Sequence, residues 1–248
     1  MPINYSECQP GEPLKAFIFS FWKTQNNSGT DIHYTVVPDA GIELIISIQP
    51  DKPNRIDLFG LSTHILDITI PNQAVFYGIR FKLLAVEYLL KMTLETNSIQ
   101  KPPIHFEQID LQAETSLDSF VDTISTHLHQ QLQSVIIDSR KQKLLDLVYH
   151  SKGTISVHNL ALETGWAARQ INRYFTGTFG LSLKAYLEQL AFFSSLPQIG
   201  QGDFYPQEHY YDQSHFIRQT KKHTGNTPKQ LYLQRYIRFV QLGHYSEE

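Results

Sequence analysis

Histidine and carboxylate side chains in the first third of the chain are the residues that could hold a metal ion or transfer a proton. His33, Glu43 and His64 lie in or beside segments rich in β-branched and aromatic residues, and a barrel of strands could gather them around a metal. Their spacing matches no metal-binding or catalytic signature. The chain also has no Walker loop, no Gly-x-Ser-x-Gly sequence and no pair of cysteines. The sequence therefore predicts that the protein is not an enzyme and carries no metal or other cofactor.

Three charged residues, Asp39, Glu43 and Arg80, interrupt apolar runs in the same region. A charge that folds into apolar surroundings needs a partner, because leaving water without one is costly. The three residues are therefore candidates for the polar groups of a small-molecule site. A buried structural ion pair, for example between Glu43 and Arg80, is the alternative and the slightly preferred interpretation.

Hydrogen bonding to DNA is the second kind of chemistry, and residues 155–176 indicate it. Ser156 suits the start of a short helix, and Gly165 suits a tight turn four residues after an inward-facing Ala161. Ile171 and Phe175, four apart, would bury one side of a second helix. The residues left outside on that helix would be Ala168, Arg169, Gln170, Asn172 and Arg173. Arg can bind guanine through two hydrogen bonds, and Asn and Gln can bind adenine. A polar face that is merely solvated is the alternative.

A third segment has the signals of a helix start and a helix end. Tyr210-Tyr211-Asp212-Gln213-Ser214-His215-Phe216 is followed nine residues later by Gly225-Asn226-Thr227-Pro228. Asp212 and Ser214 can accept hydrogen bonds from unpaired backbone N–H groups, and Phe216 begins an apolar face. Gly225 can take a positive φ just past the helix, and Pro228 prevents its continuation.

Taken in order, these features resemble the DNA-binding domain of the AraC/XylS family of bacterial transcription regulators. The resemblance runs from Leu160, Ala161 and Gly165, through Gly180-Leu181-Ser182 and Tyr186, to the two segments just described. It implies two helix-turn-helix units joined by a linker helix, about Ser182 to Leu196. The recognition helices would be Trp166 to Thr176 and Asp212 to His223, placed to enter successive major grooves of double-stranded DNA.

The same resemblance assigns DNA contacts to the second recognition helix. The positions that match the DNA-facing ones of the family are Gln213, Ser214, His215 and Arg218, and Lys221 and Lys222 would contact phosphates. For His215 a capping or packing role is the alternative.

The second unit departs from the family pattern at several positions. Tyr205 stands where a small residue is expected, Pro206 would interrupt a helix, and His209 replaces a glycine. Thr220 holds a position usually filled by Phe, and Phe192 stands near an expected basic residue. These departures predict that the second unit contributes less to base recognition than the first.

The elements that must position these residues change character near Phe81. Before it, short apolar runs bounded by Pro, Gly, Asn and Asp predict strands at residues 17–22, 33–37, 42–48 and 75–81, in a small barrel or sandwich. The sequences Pro38–Leu44 and Gly78–Phe81 resemble markers of a β-rich domain that precedes the DNA-binding domain in some AraC-type regulators. By analogy this domain would sense an effector or mediate dimerisation.

After Phe81 the spacing becomes helical. It predicts helices at Leu83–Met92, Leu117–Leu132 and Asp138–His150, the last closed by Gly153, with a Pro-containing link at residues 97–105. Packing within the chain is the favoured role for the apolar stripes of these helices, and a seam between two copies is the alternative.

The predicted fold class is therefore α+β, with a β-rich barrel-like or sandwich-like domain first and an all-α domain of two helix-turn-helix units last. The expected divisions are residues 1–110 for the β-rich domain, 111–152 for linking helices and 153–235 for the DNA-binding domain.

Charge and composition agree with this organisation. The whole chain has a net charge of −3, but residues 1–150 carry 11 Lys and Arg against 17 Asp and Glu, whereas residues 151–248 carry 10 against 7. The modest basic excess thus falls in the predicted DNA-binding part. The single Cys8 cannot form a disulfide within the chain, and no apolar run is long enough to span a membrane. We therefore expect a cytoplasmic protein.

The sequence as a whole predicts a DNA-binding transcriptional regulator that responds to an effector through its N-terminal domain. The alternative is a regulator that has lost specific DNA binding, because its second unit is degenerate, and that acts through protein contacts. Double-stranded DNA is the expected partner. RNA polymerase, a small-molecule effector and a second copy of the chain are further candidates.

Overall fold

The computed structural model describes residues 3–103, 106, 109, 111–205 and 210–234. Strands dominate up to residue 100 and helices follow, so the chain has the predicted α+β fold. The strands are β1 (Ile3–Cys8), β2 (Ile18–Asn26), β3 (Ile32–Val36), β4 (Ile42–Ile48), β5 (Arg55–Phe59), β6 (Leu66–Ile70), β7 (Val75–Phe81) and β8 (Ile99–Gln100). The helices are α1 (Leu117–Leu132), α2 (Ser139–His150), α3 (Val157–Thr164), α4 (Ala168–Phe179), α5 (Leu183–Ser194), α6 (Leu196–Gly200), α7 (Gln213–Thr224) and α8 (Pro228–Gln234).

The strands form two antiparallel sheets. In the larger one the order is β1-β2-β7-β4-β5-β8, and β3 pairs with β6 in the smaller one. The four segments predicted as strands from the sequence are confirmed as β2, β3, β4 and β7, with β2 extending four residues further than predicted. Among the described residues β1 and β8 end the larger sheet, and its closure into a barrel stays a prediction.

Side chains alternate between the two faces of the larger sheet, as the two-residue period of a strand requires. One face is apolar and fully buried, and its residues include Phe21, Leu44, Tyr77 and Ile79. Helix α1 covers this face, and the ring of Phe120 lies 5.1 Å from that of Tyr77. We call the opposite face, which bears Ser20, Trp22, Glu43 and Arg80, the polar face of the sheet.

The predicted helices form with small differences in their ends. Helix α1 matches its prediction, and α2 begins one residue after its cap Asp138. The helix expected at Leu83–Met92 is shorter, a π-helix at Val86–Leu90 that ends where Lys91 takes a φ of 51°. The predicted stop at Gly153 lies three residues beyond α2, where φ is +84° and the glycine packs against the backbone of α5.

A single hydrophobic cluster joins the sheet to most of the helices. It runs from the buried face of the sheet through α1 and α2 into α3, α4 and the first half of α5. The apolar stripes of α1 and α2 are thus buried within the chain itself. A second cluster contains Phe192 at the end of α5, residues of α6, α7 and α8, and Val37 just after β3.

Candidate nucleic-acid interface and ligand cluster

Helices α3 and α4 form the pair that the sequence places in the first DNA-binding unit. The hydroxyl of Ser156 accepts a hydrogen bond from the N–H of Asn159 (3.1 Å), which caps the start of α3. Gly165 ends the helix with a φ of +67° and donates its N–H to the carbonyl of Ala161 (3.0 Å). Ala161 is half-buried, and only the short turn 165–167 separates α3 from α4.

Helix α4 has one buried side and one exposed side. Ile171, Phe175 and Phe179 are fully buried. All five residues predicted to contact DNA from this helix are exposed: Ala168, Arg169, Gln170, Asn172 and Arg173. The helix begins two residues later and ends three residues later than predicted, which leaves these five in its first two turns.

The polar side chains on this surface differ in their bonding. The side-chain oxygen of Gln170 accepts the N–H of Ala167 (3.0 Å), and the amide of Asn172 donates to the carbonyl of Ala168 (3.1 Å). The guanidinium groups of Arg169 and Arg173 have neither a hydrogen bond nor an ion pair within the described part of the chain. The two guanidinium groups are therefore the groups on this surface that can bind an anion without breaking an existing contact.

Helix α4 also forms contacts with residues 3–100, which we call the sheet half of the molecule. The sequence did not predict these contacts. The hydroxyl of Tyr174 donates to Glu87 of the π-helix (2.6 Å), and Lys141 of α2 forms an ion pair with the same carboxylate. At the far end of α4, the N–H of Leu94 donates to the carbonyl of Thr178 (3.0 Å). These contacts join segments far apart in sequence, so helical periodicity alone could not have shown them.

Helix α7 is the second predicted recognition helix, one residue displaced from its predicted bounds. Asp212 caps it by accepting the N–H of His215 (2.7 Å), and Gly225 follows it with a φ of +71°. Phe216 and Thr220 are fully buried. The exposed residues include the predicted contacts Gln213, Ser214, Arg218, Lys221 and Lys222.

Two of the predicted contacts on α7 have partners within the chain. The ring of His215 packs edge-on against Tyr210, with centroids 5.5 Å apart, and its Nε2 lies 3.4 Å from the amide of Gln219. Lys222 forms an ion pair with Glu188 of α5. The packing role considered for His215 therefore has a structural basis, and Lys222 can reach a phosphate only by leaving a carboxylate.

Two of the residues singled out as departures from the family pattern, Phe192 and Thr220, are buried. Phe192 is buried and stacks on His223, with ring centroids 4.9 Å apart. The buried hydroxyl of Thr220 donates to the carbonyl of Phe216 (2.9 Å). Tyr205 is 68% exposed, while Pro206 and His209 lie outside the described residues.

On the polar face of the sheet, Arg80 brings together the three charged residues singled out from the sequence. Its guanidinium forms an ion pair with Asp39 (2.9 Å) and lies 3.9 Å from the carboxylate of Glu43. The closer partner is therefore Asp39 and not Glu43, the example chosen from the sequence. The second oxygen of Glu43 accepts the indole N–H of Trp22 (3.0 Å).

Burial and neighbouring charges act in opposite directions on Glu43. Burial raises the pKa of its carboxyl, the Arg80 guanidinium lowers it and the Asp39 carboxylate raises it, and the result is a pKa of about 7. The carboxyl is therefore poised to change its ionisation near neutral pH.

Helix α5 packs against one side of the group formed by Asp39, Glu43 and Arg80. The ring of Phe193 lies 4.7 Å from the guanidinium carbon of Arg80, and the hydroxyl of Tyr186 donates to the carbonyl of Ala40 (3.1 Å). Gln189 also donates to the carbonyl of Ser62 (2.7 Å). The predicted linker helix is thus bonded to the loops of the sheet half beside the charged cluster.

The histidines considered for metal chemistry lie in other surroundings. His33 is on β3, where its Nδ1 is 2.9 Å from the hydroxyl of Thr69, and His64 is in the loop before β6. Within the described residues no three His, Cys, Asp or Glu side chains are grouped so as to hold a metal ion. In the same part of the chain, every helix lacks the length or the apolar character needed to cross a bilayer.

Comparisons with known proteins give one family match within the strand-rich part of the chain and structural matches over most of its length. Residues 6–98 match the family described as a domain of unknown function, DUF6597. No curated protein sequence matches the chain. Among solved structures, a 1.65 Å structure of ToxT from Vibrio cholerae is 12% identical, with a TM-score of 0.41, and the match covers 93% of this chain and 97% of that one. A structure of ToxT from Vibrio cholerae O395 bound to (E)-4-(8-methylnaphthalen-1-yl)but-3-enoic acid is 14% identical, with the same TM-score and coverage. The family match, which places a DUF6597 domain at residues 6–98, spans less than half of the chain.

Proposed function

We propose that the protein is a transcriptional regulator of the AraC/XylS type that acts in the cytoplasm by binding double-stranded DNA. The observation that carries the proposal is the division of α4 into a buried side, with Ile171 and Phe175, and an exposed side with Arg169 and Arg173. Helices α3 and α4 would form the first helix-turn-helix unit. The arginines would reach guanine edges or phosphates, while Gln170 and Asn172 would meet neighbouring bases.

Helices α6 and α7 would supply the second, weaker unit. Within the described residues the helix that precedes α7 is α6, which has five residues, and His215 and Lys222 already have partners within the chain. Gln213, Ser214, Arg218 and Lys221 are the residues left to contact DNA, mainly by positioning the domain.

Regulation by an effector would run through α5. A ligand at Asp39, Glu43 and Arg80 would alter the surroundings of Phe193 and Tyr186, and so the placement of α5 between the two units. A ligand shifts such an equilibrium only if its affinity differs between the two arrangements. RNA polymerase and a second copy of the chain remain proposed partners.

The deciding experiment is selection and sequencing of bound genomic fragments, followed by gel-shift titration of one fragment at several salt concentrations. We expect Arg169→Ala and Arg173→Ala each to weaken specific binding by about 1–3 kcal/mol. Arg55→Ala is the matched control, since Arg55 is an exposed arginine on β5. Equal affinity of the wild type and both α4 variants would contradict the proposal.

The second candidate is a regulator that acts through protein contacts without specific DNA binding. The partners of His215 and Lys222 and the short α6 favour it. The two candidates differ in the selection experiment, because only the first predicts an enriched sequence.

If DNA is bound, we expect Gln213→Ala to weaken binding less than Arg169→Ala. The reverse order would show that the second unit contributes at least as much to base recognition as the first.

A further inference from the structure

On the polar face of the larger sheet, several charged and polar side chains lie close together on adjacent strands. Ser20 on β2 and Glu43 on β4 are both cross-strand partners of Arg80 on β7, so all three project from the same face. Trp22, two residues after Ser20, projects from this face as well and is bonded to Glu43. The strand register thus fixes a compact group of one guanidinium, one carboxyl, one hydroxyl and one indole.

This group has more negative than positive charge. Asp39 joins it from the loop before β4, so that two carboxyl groups face one guanidinium. Burial is the main reason that the pKa of Glu43 is raised, while Arg80 lowers it and Asp39 adds to the rise. The side chains of Asp39, Glu43 and Arg80 are 17–19% exposed, so a solute can approach them.

The buried hydroxyl of Ser20 is an independent observation that points to a polar ligand at this face. Ser20 is only 2% exposed, and its hydroxyl has no hydrogen-bond partner within the described residues. Buried polar groups are almost always hydrogen-bonded, and one without a partner calls for an explanation. Since Ser20 projects from the same face as its neighbour Arg80, a ligand bound at the two carboxyl groups would also be placed to hydrogen-bond to the Ser20 hydroxyl.

Aromatic rings surround the charged groups. A Cβ at Gly78 would overlap the indole of Trp22, which means that the indole lies directly over the sheet at that point. Phe19 and Phe193 face Arg80 at 5.7 and 4.7 Å from its guanidinium carbon. Aromatic faces attract cations, and their carbon surfaces suit an apolar ligand body.

We propose that the polar face of the sheet binds a small organic cation, a protonated amine with an apolar body. The ammonium group lies between Asp39 and Glu43 and donates a hydrogen bond to the hydroxyl of Ser20, while the apolar body lies against Trp22 and Phe193. An anionic ligand would add negative charge to a group that already has an excess of it. Apart from Phe193 of α5, the site is made by residues of the strands and of the loop before β4, and it does not depend on whether the protein binds DNA.

Fluorescence of Trp22 tests the proposal directly. The chain has two tryptophans, so Trp166→Phe leaves Trp22 as the only indole. This variant is titrated with phenethylamine and, in parallel, with 3-phenylpropionate, which replaces the ammonium by a carboxylate. We expect a saturable change with the amine and none with the acid.

Substitutions made in the Trp166→Phe background locate the response. Glu43→Gln and Asp39→Asn should each weaken amine binding at least tenfold, and Ser20→Ala should weaken it severalfold. Glu95→Gln, an exposed glutamate in the loop before β8, is the matched control and should leave it unchanged. Circular dichroism and thermal unfolding verify that each variant remains folded.

Amine affinity should also rise between pH 6 and pH 8, because Glu43 must lose its proton to pair with the ammonium. The other ionisable groups around Glu43 and Arg80 are Glu7 and Tyr5 of β1, Lys82 after β7, Tyr149 of α2 and Tyr186 of α5. Burial raises the pKa of all three tyrosines, which therefore stay protonated in this range.

Three outcomes would overturn the proposal. One is a saturable response to 3-phenylpropionate that Arg80→Gln abolishes, which would make this an anion site. Another is amine binding that survives both Glu43→Gln and Asp39→Asn, which would place the ligand elsewhere. The third is the absence of a saturable response to either compound. None of these measurements contains DNA, so their failure leaves the proposed regulator function untouched.

Discussion

Gly78 and Trp22 show how a missing side chain shapes a surface. The indole occupies the position that a Cβ at residue 78 would need. In Gly78→Ala the indole must move away, and its hydrogen bond to Glu43 is lost with it. We expect a loss of about 1–3 kcal/mol in the free energy of unfolding, the usual cost of overpacking, measured by urea denaturation.

Gly177 is the matched control for this substitution. It lies within α4, and no atom would be within 4 Å of an added Cβ. Gly177→Ala should stabilise the protein by up to about 1 kcal/mol, because alanine favours the helix. Similar losses of stability in Gly78→Ala and Gly177→Ala would mean that the position of the Trp22 indole does not require a glycine at residue 78.

His223 is expected to make stability depend on pH. Burial is the main reason that its pKa is lowered to about 4, and the charge of Lys222 adds to the effect. In the unfolded chain a histidine has a pKa of about 6.5. Between these values the unfolded state binds a proton that the folded state does not, so the stabilisation is complete above about pH 6.5 and is lost as the pH falls towards 4.

The test is the free energy of unfolding at pH 7 and pH 5. The contribution of His223 should fall by about 1–2 kcal/mol between them. His223→Phe keeps an aromatic ring against Phe192 and should reduce the pH dependence by that amount. His158→Phe, at an exposed position of α3, should not. An unchanged pH dependence in His223→Phe would show that other groups cause it.

At the residue scale the sequence predicted which side chains of α4 are exposed, but it did not predict their partners. Exposure follows from helical periodicity once Ile171 and Phe175 are recognised as apolar. The contact of Tyr174 with Glu87 and the preference of Arg80 for Asp39 depend on how distant segments pack, and spacing along the chain contains no information about that.

Helix ends were the best predicted features at the element scale, since capping is a local interaction. Ser156, Asp212, Gly165 and Gly225 all cap as their residue types indicated. Helix α6 was not predicted from the sequence, which contains Pro197 and Gly200 within these five residues. Pro197 in fact lies in the first turn, where the absence of an N–H costs nothing.

The cap of α3 provides a prediction at this scale. Ser156→Ala removes the acceptor for the N–H of Asn159 and should lower the free energy of unfolding by about 1 kcal/mol. Ser134, an exposed serine in the loop after α1, is the control, and Ser134→Ala should change stability by less than about 0.5 kcal/mol. Equal values for both would indicate that water replaces the cap without loss.

For the whole molecule, the continuous hydrophobic cluster predicts that the C-terminal part is not stable alone. Cutting the chain before residue 153 divides the hydrophobic cluster to which Phe175 and Phe179 belong and removes the carboxylate of Glu87 that binds Tyr174. A fragment of residues 153–248 should therefore show no cooperative thermal unfolding by circular dichroism, whereas the full chain should. A cooperative transition in the fragment would show that the helices of residues 153–248 fold without support from the sheet.

The long separation between the sheet and its covering helix also matters while the chain is being made. Strand β7 is the last of the strands that carry Phe21, Leu44, Tyr77 and Ile79, but α1, which carries Phe120, follows only after a further stretch of chain. At roughly 5–20 residues per second of synthesis, Phe21 and Tyr77 leave the ribosome seconds before their cover does. During that interval the nascent sheet exposes an aromatic surface, which makes it a substrate for ribosome-associated chaperones and a point at which premature termination would yield an aggregating product.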